Sequence, residues 1–238
     1  MADWDDLAHE LEQWNGAPFT FWWRDDDCVA ATPALARLLA YGAPVALAII
    51  PARLAGGLSL PQHATALQHG FDHRNRAGPG EKKSEFPPQR PAEEVGHDLA
   101  RGFALLQGRF PGQFRPVFVP PWNRYEHAYP WRKAGCTWIS QYRDWSVFNG
   151  SEAGEPHRLP THVDLIDWRT RAFAGEARTL DRILAHLHAR RSGRAPRDQP
   201  TGLLTHHLVH DRECWAFLDK WCHLLNDRAK EMKWVSVA

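Results

Sequence analysis

The run Pro44-Val45-Ala46-Leu47-Ala48-Ile49-Ile50 carries no polar residue at either parity, so a strand built from it must be covered on both faces. Short apolar or β-rich runs recur at FTFWWR (19–24), PVFVPP (116–121), CTWISQ (136–141), VDLIDW (163–168) and TGLLTHHLV (201–209), and ATALQHG follows at 64–70. Helical patterns fall between them at 32–42, 92–110, 180–191 and 214–232, ahead of a closing WVSV. The first of these begins after Thr32 with Pro33 at its first position and has Gly42 just past its end. Strands alternating with helices predict a parallel sheet covered by helices, and 238 residues suit one α/β domain spanning 1–238.

The polar residues fall in a pattern that such a fold explains. Asp25-Asp26-Asp27, HGFDH (69–73), VPPWNR (119–124), Asp167-Trp168 and Thr205-His206-His207 each lie at or just past the C-terminal end of a predicted strand. In parallel α/β folds active sites are built on that edge. Three adjacent carboxylates repel unless a positive group sits among them; Arg24 is one candidate, and a divalent cation is a stronger one. An Asp of the three could instead cap the helix that follows.

Composition narrows the function. A formal net charge of +1 gives no general affinity for nucleic acid or anionic membranes. No stretch nears the roughly 18 consecutive apolar residues of a membrane helix. The N-terminal MADWDDLAHELEQW is acidic and amphipathic, without the basic and apolar regions of a secretory signal, so a cytoplasmic protein is expected. Cys28, Cys136, Cys214 and Cys222 form no CxxC pair and read as reduced core or near-core thiols. In excess are 14 His, suited to zinc-like metals, and 12 Trp, suited to stacking on sugar rings.

His69 and His73 stand four apart, which on a helical turn puts both imidazoles on one face. With 14 His in 238 residues chance alone yields roughly one such pair, and His206/His210 is a second, so spacing needs support. The carboxylates ending another strand give it, because Asp plus two His with open positions is a hydrolytic zinc-type ligand set. Of His206 and His207 only one can face a site, since successive strand residues point to opposite sides. Trp22, Trp23, Trp122 and Trp168 are candidates for a stacking wall, with core filling the even alternative. The Gly/Pro/charge-rich stretch 74–94 is long enough for a function. Its Lys82 and Lys83 fit a solvated charged loop better than a contact to an anionic substrate.

The order DDD, HxxxH, Pro-Pro-aromatic, DLIDW, LLTHH resembles the polysaccharide deacetylase superfamily, family 4 carbohydrate esterases and their relatives, from about Phe19 to His210. The resemblance implies a distorted (β/α) barrel with a mainly parallel sheet. It also implies removal of an N-acyl group, N-acetyl foremost, from an amino sugar or sugar-containing substrate by a metal-activated water. Asp27, His69 and His73 map to the metal ligands, with zinc first and Co2+, Ni2+, Mn2+ or Fe2+ as alternatives. Asp26 maps to the base and His206 to the acid, with Asp167 of Asp167-Trp168 supporting that histidine. The implied substrate wall comprises Trp23, Pro121, Trp122, Asn123, Arg124 and Trp168. The partner is a small-molecule or oligosaccharide substrate.

The chain departs from the pattern in two motifs. VPPW lacks the leading Arg that orients the base, for which Arg24 or Arg124 can stand in, and Cys28 replaces the usual Gly. The acid pair can be read as Asp25-Asp26, so Asp25, His207 and His210 stand as alternates. Two other functions stay open: a cytosolic metal-dependent amidase or cyclic amidase of the same fold, and a carbohydrate-binding relative without catalysis.

Overall fold

The computed structural model describes residues 2–14, 18–125, 135–142 and 157–237. Helix α1 (Trp4–Glu12) leads into β1 (Phe19–Cys28), α2 (Pro33–Leu39), β2 (Val45–Ile49) and β3 (Ala64–His69). Then come α3 (Ala92–Arg109), β4 (Phe114–Val119), β5 (Trp138–Ile139), β6 (His157–Arg158), β7 (Val163–Asp164), β8 (Ile166–Asp167) and β9 (Ala172–Phe173). The chain ends with α4 (Glu176–Arg191), β10 (Thr201–Thr205), α5 (Arg212–Asp227) and β11 (Met232–Trp234). As the start signal predicts, Thr32 caps α2, its Oγ1 accepting from Leu35 N–H at 3.0 Å, a bond worth about 1 kcal/mol.

Nine described strands form one sheet in the order β6-β5-β4-β3-β2-β1-β10-β7, with β11 also on β1, and every pairing in it is parallel. This is the distorted (β/α) barrel expected; β8 and β9 form a separate antiparallel pair. The predicted strand 163–168 is thus broken at Leu165, because Asp164 accepts from Ile166 N–H and turns the chain. No described helix is long and apolar enough to cross a membrane.

The pleat sorts β1 into two faces. Phe19, Phe21 and Trp23 join Leu47, Ile49 and the buried residues of α2, α4 and α5 in the main core. Trp22 packs on the opposite, concave side with Ala46, Ala48, Leu67, Val117 and Val119. Burying side chains of Leu47 or Ile49 size stabilises by about 1.5–3 kcal/mol each, which is why β2 carries apolar residues at both parities. The four cysteines are free and buried.

Candidate active site

Alternation along β1 gives the three aspartates three different surroundings. Asp26 shares the concave side with Trp22 and Arg24, and the guanidinium grips it at two points, Nε to Oδ1 at 2.8 Å and Nη2 to Oδ2 at 3.0 Å. Arg24 is anchored in turn by Nη1 donating to Ser140 Oγ on the β5 side. Of the two stand-ins for the missing motif arginine, Arg24 therefore reaches the carboxylate. Arg124 instead donates to Lys83 O at 2.9 Å.

Asp25 points to the helical side and is fully buried. Its Oδ2 accepts from Thr205 Oγ1 at 2.6 Å and from His207 N–H at 3.0 Å, and its Oδ1 pairs with His207 Nδ1. Burial opposes its charge, but His207 outweighs burial and lowers its pKa. Asp27 has φ of 67°, at a break in the β1–β2 register between Asp25 and Cys28. This bend turns its carboxylate toward β3.

There Asp27 Oδ1 lies 3.2 Å from His69 Nε2 and 3.4 Å from His73 Nε2. Among the described residues this trio alone brings three metal-type donor atoms within 4.8 Å of one another. Donors about 2.0–2.1 Å from a tetrahedral metal are about 3.3 Å apart, and both Asp27–imidazole separations match that spacing. His69 Nδ1 is 3.0 Å from Val119 O, which leaves Nε2 as the ring atom that faces Asp27. Burial raises the Asp27 pKa, yet the hydrogen bond and charge of His69 more than reverse this and hold it well below the carboxylate range. Burial also opposes charge on His69, but Asp27 and Asp26 raise its pKa. Burial and the neighbouring His69 push His73 down to about 4, a neutral ring able to ligate.

The two histidines are not on a helix. His69 ends β3 and His73 follows a tight turn, with Gly70 at φ 58° and His73 at φ 55°. The one-face reading of the HxxxH spacing is thus right about convergence and wrong about the backbone. The turn closes on Glu85, a wholly buried carboxylate that sequence reasoning missed, because its partners are backbone N–H groups that carry no residue signature.

His206, just past β10, holds Nε2 3.9 Å from Asp26 Oδ2, the oxygen that also accepts from Arg24 Nη2. Its ring meets the edge of Trp168 at 4.6 Å. Trp168 Nε1 donates to Asp164 Oδ2 at 2.9 Å, and Asp164, like Asp27, is electrostatically coupled to His206. Burial raises the pKa of Asp164, against the charge of His206. The expectation for Asp167 is corrected accordingly. Asp167 pairs with Arg169 at 3.3 Å and Arg178 at 3.0 Å, and its hydrogen bond to Arg169 lowers it to about 2. The kink at Leu165 sends it outward. The motif points to the acid adjacent to Trp168, and the chain break at Leu165 that brings Asp164 to Trp168 instead leaves no signal in the sequence.

Two further expectations are corrected. Trp23 is 1% exposed, donates Nε1 to Thr205 Oγ1 and stacks on Trp234, and Trp22 is as deeply buried; both are core, not substrate wall. Trp122, at φ 53°, lies 4.3 Å from His73, and Trp168 keeps 46% exposure. Pro121 is buried beside Gly70. The Asn123 amide is taken up by the Tyr142 backbone, at 2.6 and 2.7 Å. His210 accepts from His206 N–H and rests on Trp215, outside the trio. Of five described non-glycine residues at positive φ, Asp27, His73, Trp122 and Asn123 all belong to this edge, as strained residues at functional sites commonly do.

No family model and no curated protein matches the chain. Solved structures do. A CE4 esterase from Streptococcus mutans superposes with a TM-score of 0.56 at 13% identity, over 95% of this chain and 90% of that one. A family 4 carbohydrate esterase from Streptomyces lividans in complex with acetate gives 0.55 at 12%, over 94% and 95%. Peptidoglycan deacetylase PdaC from Bacillus subtilis gives 0.52 at 13%, over 93% and 89%. The fold is the one these esterases and deacetylases share, at an identity that marks this chain as a divergent example of it.

Proposed function

We propose that the chain is a metal-dependent hydrolase that removes an N-acyl group, N-acetyl foremost, from an amino sugar or sugar-containing substrate. The reading rests on the convergence of Asp27 Oδ1 with two imidazole Nε2 atoms, beside a carboxylate held by arginine. Asp27, His69 and His73 would hold the ion, zinc or a related divalent metal, which supplies Lewis acidity to acidify a water and polarise an acyl oxygen.

Asp26 accepts the water's proton while Arg24 fixes the plane of its carboxylate. The hydroxyl adds to the acyl carbon. His206 Nε2 then delivers a proton to the nitrogen as the C–N bond breaks, giving a carboxylic acid and an amine. The 3.9 Å between His206 Nε2 and Asp26 Oδ2 is too long for a direct hydrogen bond and leaves base and acid free to act on separate atoms. Each such transfer typically contributes about 10²–10⁴-fold. Asp164 and Trp168 orient His206, and the exposed faces of Trp168 and Trp122 suit stacking on a sugar ring.

The test is acetate release by the zinc-loaded protein from chitooligosaccharides, N-acetylated monosaccharides, simple acetamides and a cyclic amide. Release from the sugars alone supports the proposal. Turnover of only the simple or cyclic amides transfers the same chemistry to a small-molecule amidase. Tight zinc binding without turnover of any of them leaves a binding protein.

A further inference from the structure

The segment 74–91 contains no helix or strand, yet it is folded back on itself, and its closure serves the trio. Arg76 N–H donates to Ser84 O at 2.8 Å and Ser84 N–H to Asn75 Oδ1 at 3.0 Å, so the loop leaves and returns at one point. The return carries Glu85 beneath the turn that joins His69 to His73. Phe71 N–H and Asp72 N–H donate to its Oε1 at 2.9 and 3.0 Å, and His73 N–H to its Oε2 at 3.1 Å. Three successive N–H groups aimed at one carboxylate form an anion-binding concavity, here filled from within the chain. Gly70 is part of the fit: its φ is 58°, and a Cβ there would collide with Glu85 Oε2 and Pro121 Cγ.

We propose that Glu85 is a positioning residue for the metal trio, setting the direction of the His73 imidazole through the 71–73 backbone. This rests on the reading of Asp27, His69 and His73 as metal ligands. Ala52 N–H to Phe71 O at 2.8 Å, Arg53 Nη2 to His73 O at 3.2 Å and the Arg76–Asp72 pair also tie this turn, but Glu85 is the group that gathers its three successive N–H donors and so fixes the peptide planes from which His73 Nε2 meets Asp27. Glu85→Gln keeps the size and can still accept at one oxygen, but it sets an NH2 group against one of the three N–H donors. Glu85→Ala leaves all three without a partner.

The experiment uses Co2+ as the probe, reading its visible d–d absorption and its dissociation constant by chelator competition, with the thermal midpoint of metal-free protein measured in parallel. Glu85→Gln is expected to weaken Co2+ binding about 10–100-fold and to alter the absorption bands, with the metal-free midpoint close to wild type. Glu85→Ala is expected to lose more. Wild-type affinity and bands in Glu85→Gln overturn the proposal, even if Glu85→Ala fails to fold. If wild type binds no Co2+, or His69→Ala binds it as well as wild type does, the metal reading itself fails.

Discussion

Arg24 and Asp26, two positions apart on β1, form a two-point ion pair with both side chains under a tenth exposed. A strand's period of two makes this the shortest spacing at which residues share a face, so Asp26, the proposed base, carries its paired cation on its own strand. Arg24→Lys keeps the charge and loses the planar fork. Turnover is expected to fall about 10²-fold with metal content unchanged. Arg24→Met leaves Asp26 buried and unpaired, and should also lower the thermal midpoint. Full activity in Arg24→Lys would show that the fork is not what aligns the base.

Metal content separates the roles of the neighbouring acids. Protein purified without chelator is expected to carry about one equivalent of zinc or a related ion, bound by Asp27, His69 and His73. His69→Ala combined with His73→Ala should abolish it, as measured by elemental analysis. Asp26→Asn should retain the ion and lose turnover. Loss of metal in Asp26→Asn with retention in Asp27→Asn would move the acid pair by one residue.

Much of this edge was legible because strand periodicity and chemistry point the same way. The all-apolar run at β2 demanded two covered faces, and β2 is central in the sheet. Asp25-Asp26-Asp27 said that something positive was near, and there are three such things: His207 for Asp25, Arg24 for Asp26 and His69 for Asp27. The register was hidden because a bulge decides where Asp27 points, and bulges leave little trace in sequence. The HxxxH spacing suggested a helix only because 3.6 residues per turn is the commonest way to align such a pair; a strand end and a glycine turn do it equally. Glu85 was illegible, since the bonds that place it are to three backbone N–H groups, which carry no residue signature, and its side-chain neighbours Arg76 and Asp72 lie in a loop whose fold-back the sequence does not announce.

The kink at Leu165 makes Asp164 and Asp167 separable in function. Asp164 holds Trp168 against His206, whereas Asp167 pairs with two arginines at the surface. Asp164→Asn alters the hold on Trp168 and the electrostatics at His206, and is expected to lower kcat about tenfold or more and to shift the pH profile of kcat/KM. Asp167→Asn is expected to leave both near wild type, because exposed ion pairs contribute little. The opposite ranking would return the supporting role to Asp167.

A buried imidazole pair beside the start of β10 is expected to contribute to the loss of stability in acid. His162 and His186 stack with centroids 3.6 Å apart, and both are buried. His162 Nδ1 accepts from Gly202 N–H at 2.9 Å, and His186 lies 2.9 Å from Thr201 Oγ1, which also accepts from Arg190. Burial, then the charge of Arg190, pushes His186 down to about 3, and burial with the His186 charge takes His162 well below its usual 6.5. Below about pH 6.5 the unfolded chain therefore binds protons at these rings that the folded chain refuses. Stability from the neutral pair is fully present above that pH and is lost as pH falls toward 3, by up to about 1.4 kcal/mol per pH unit for each ring. With EDTA present throughout, so that metal loss does not contribute, the unfolding free energy should drop from pH 6.5 to 4. His186→Phe keeps a ring against His162 but removes one titrating group, and its slope in that window should be smaller by about one proton's worth. Parallel slopes for the two proteins would show that these histidines do not contribute to the acid limb of stability.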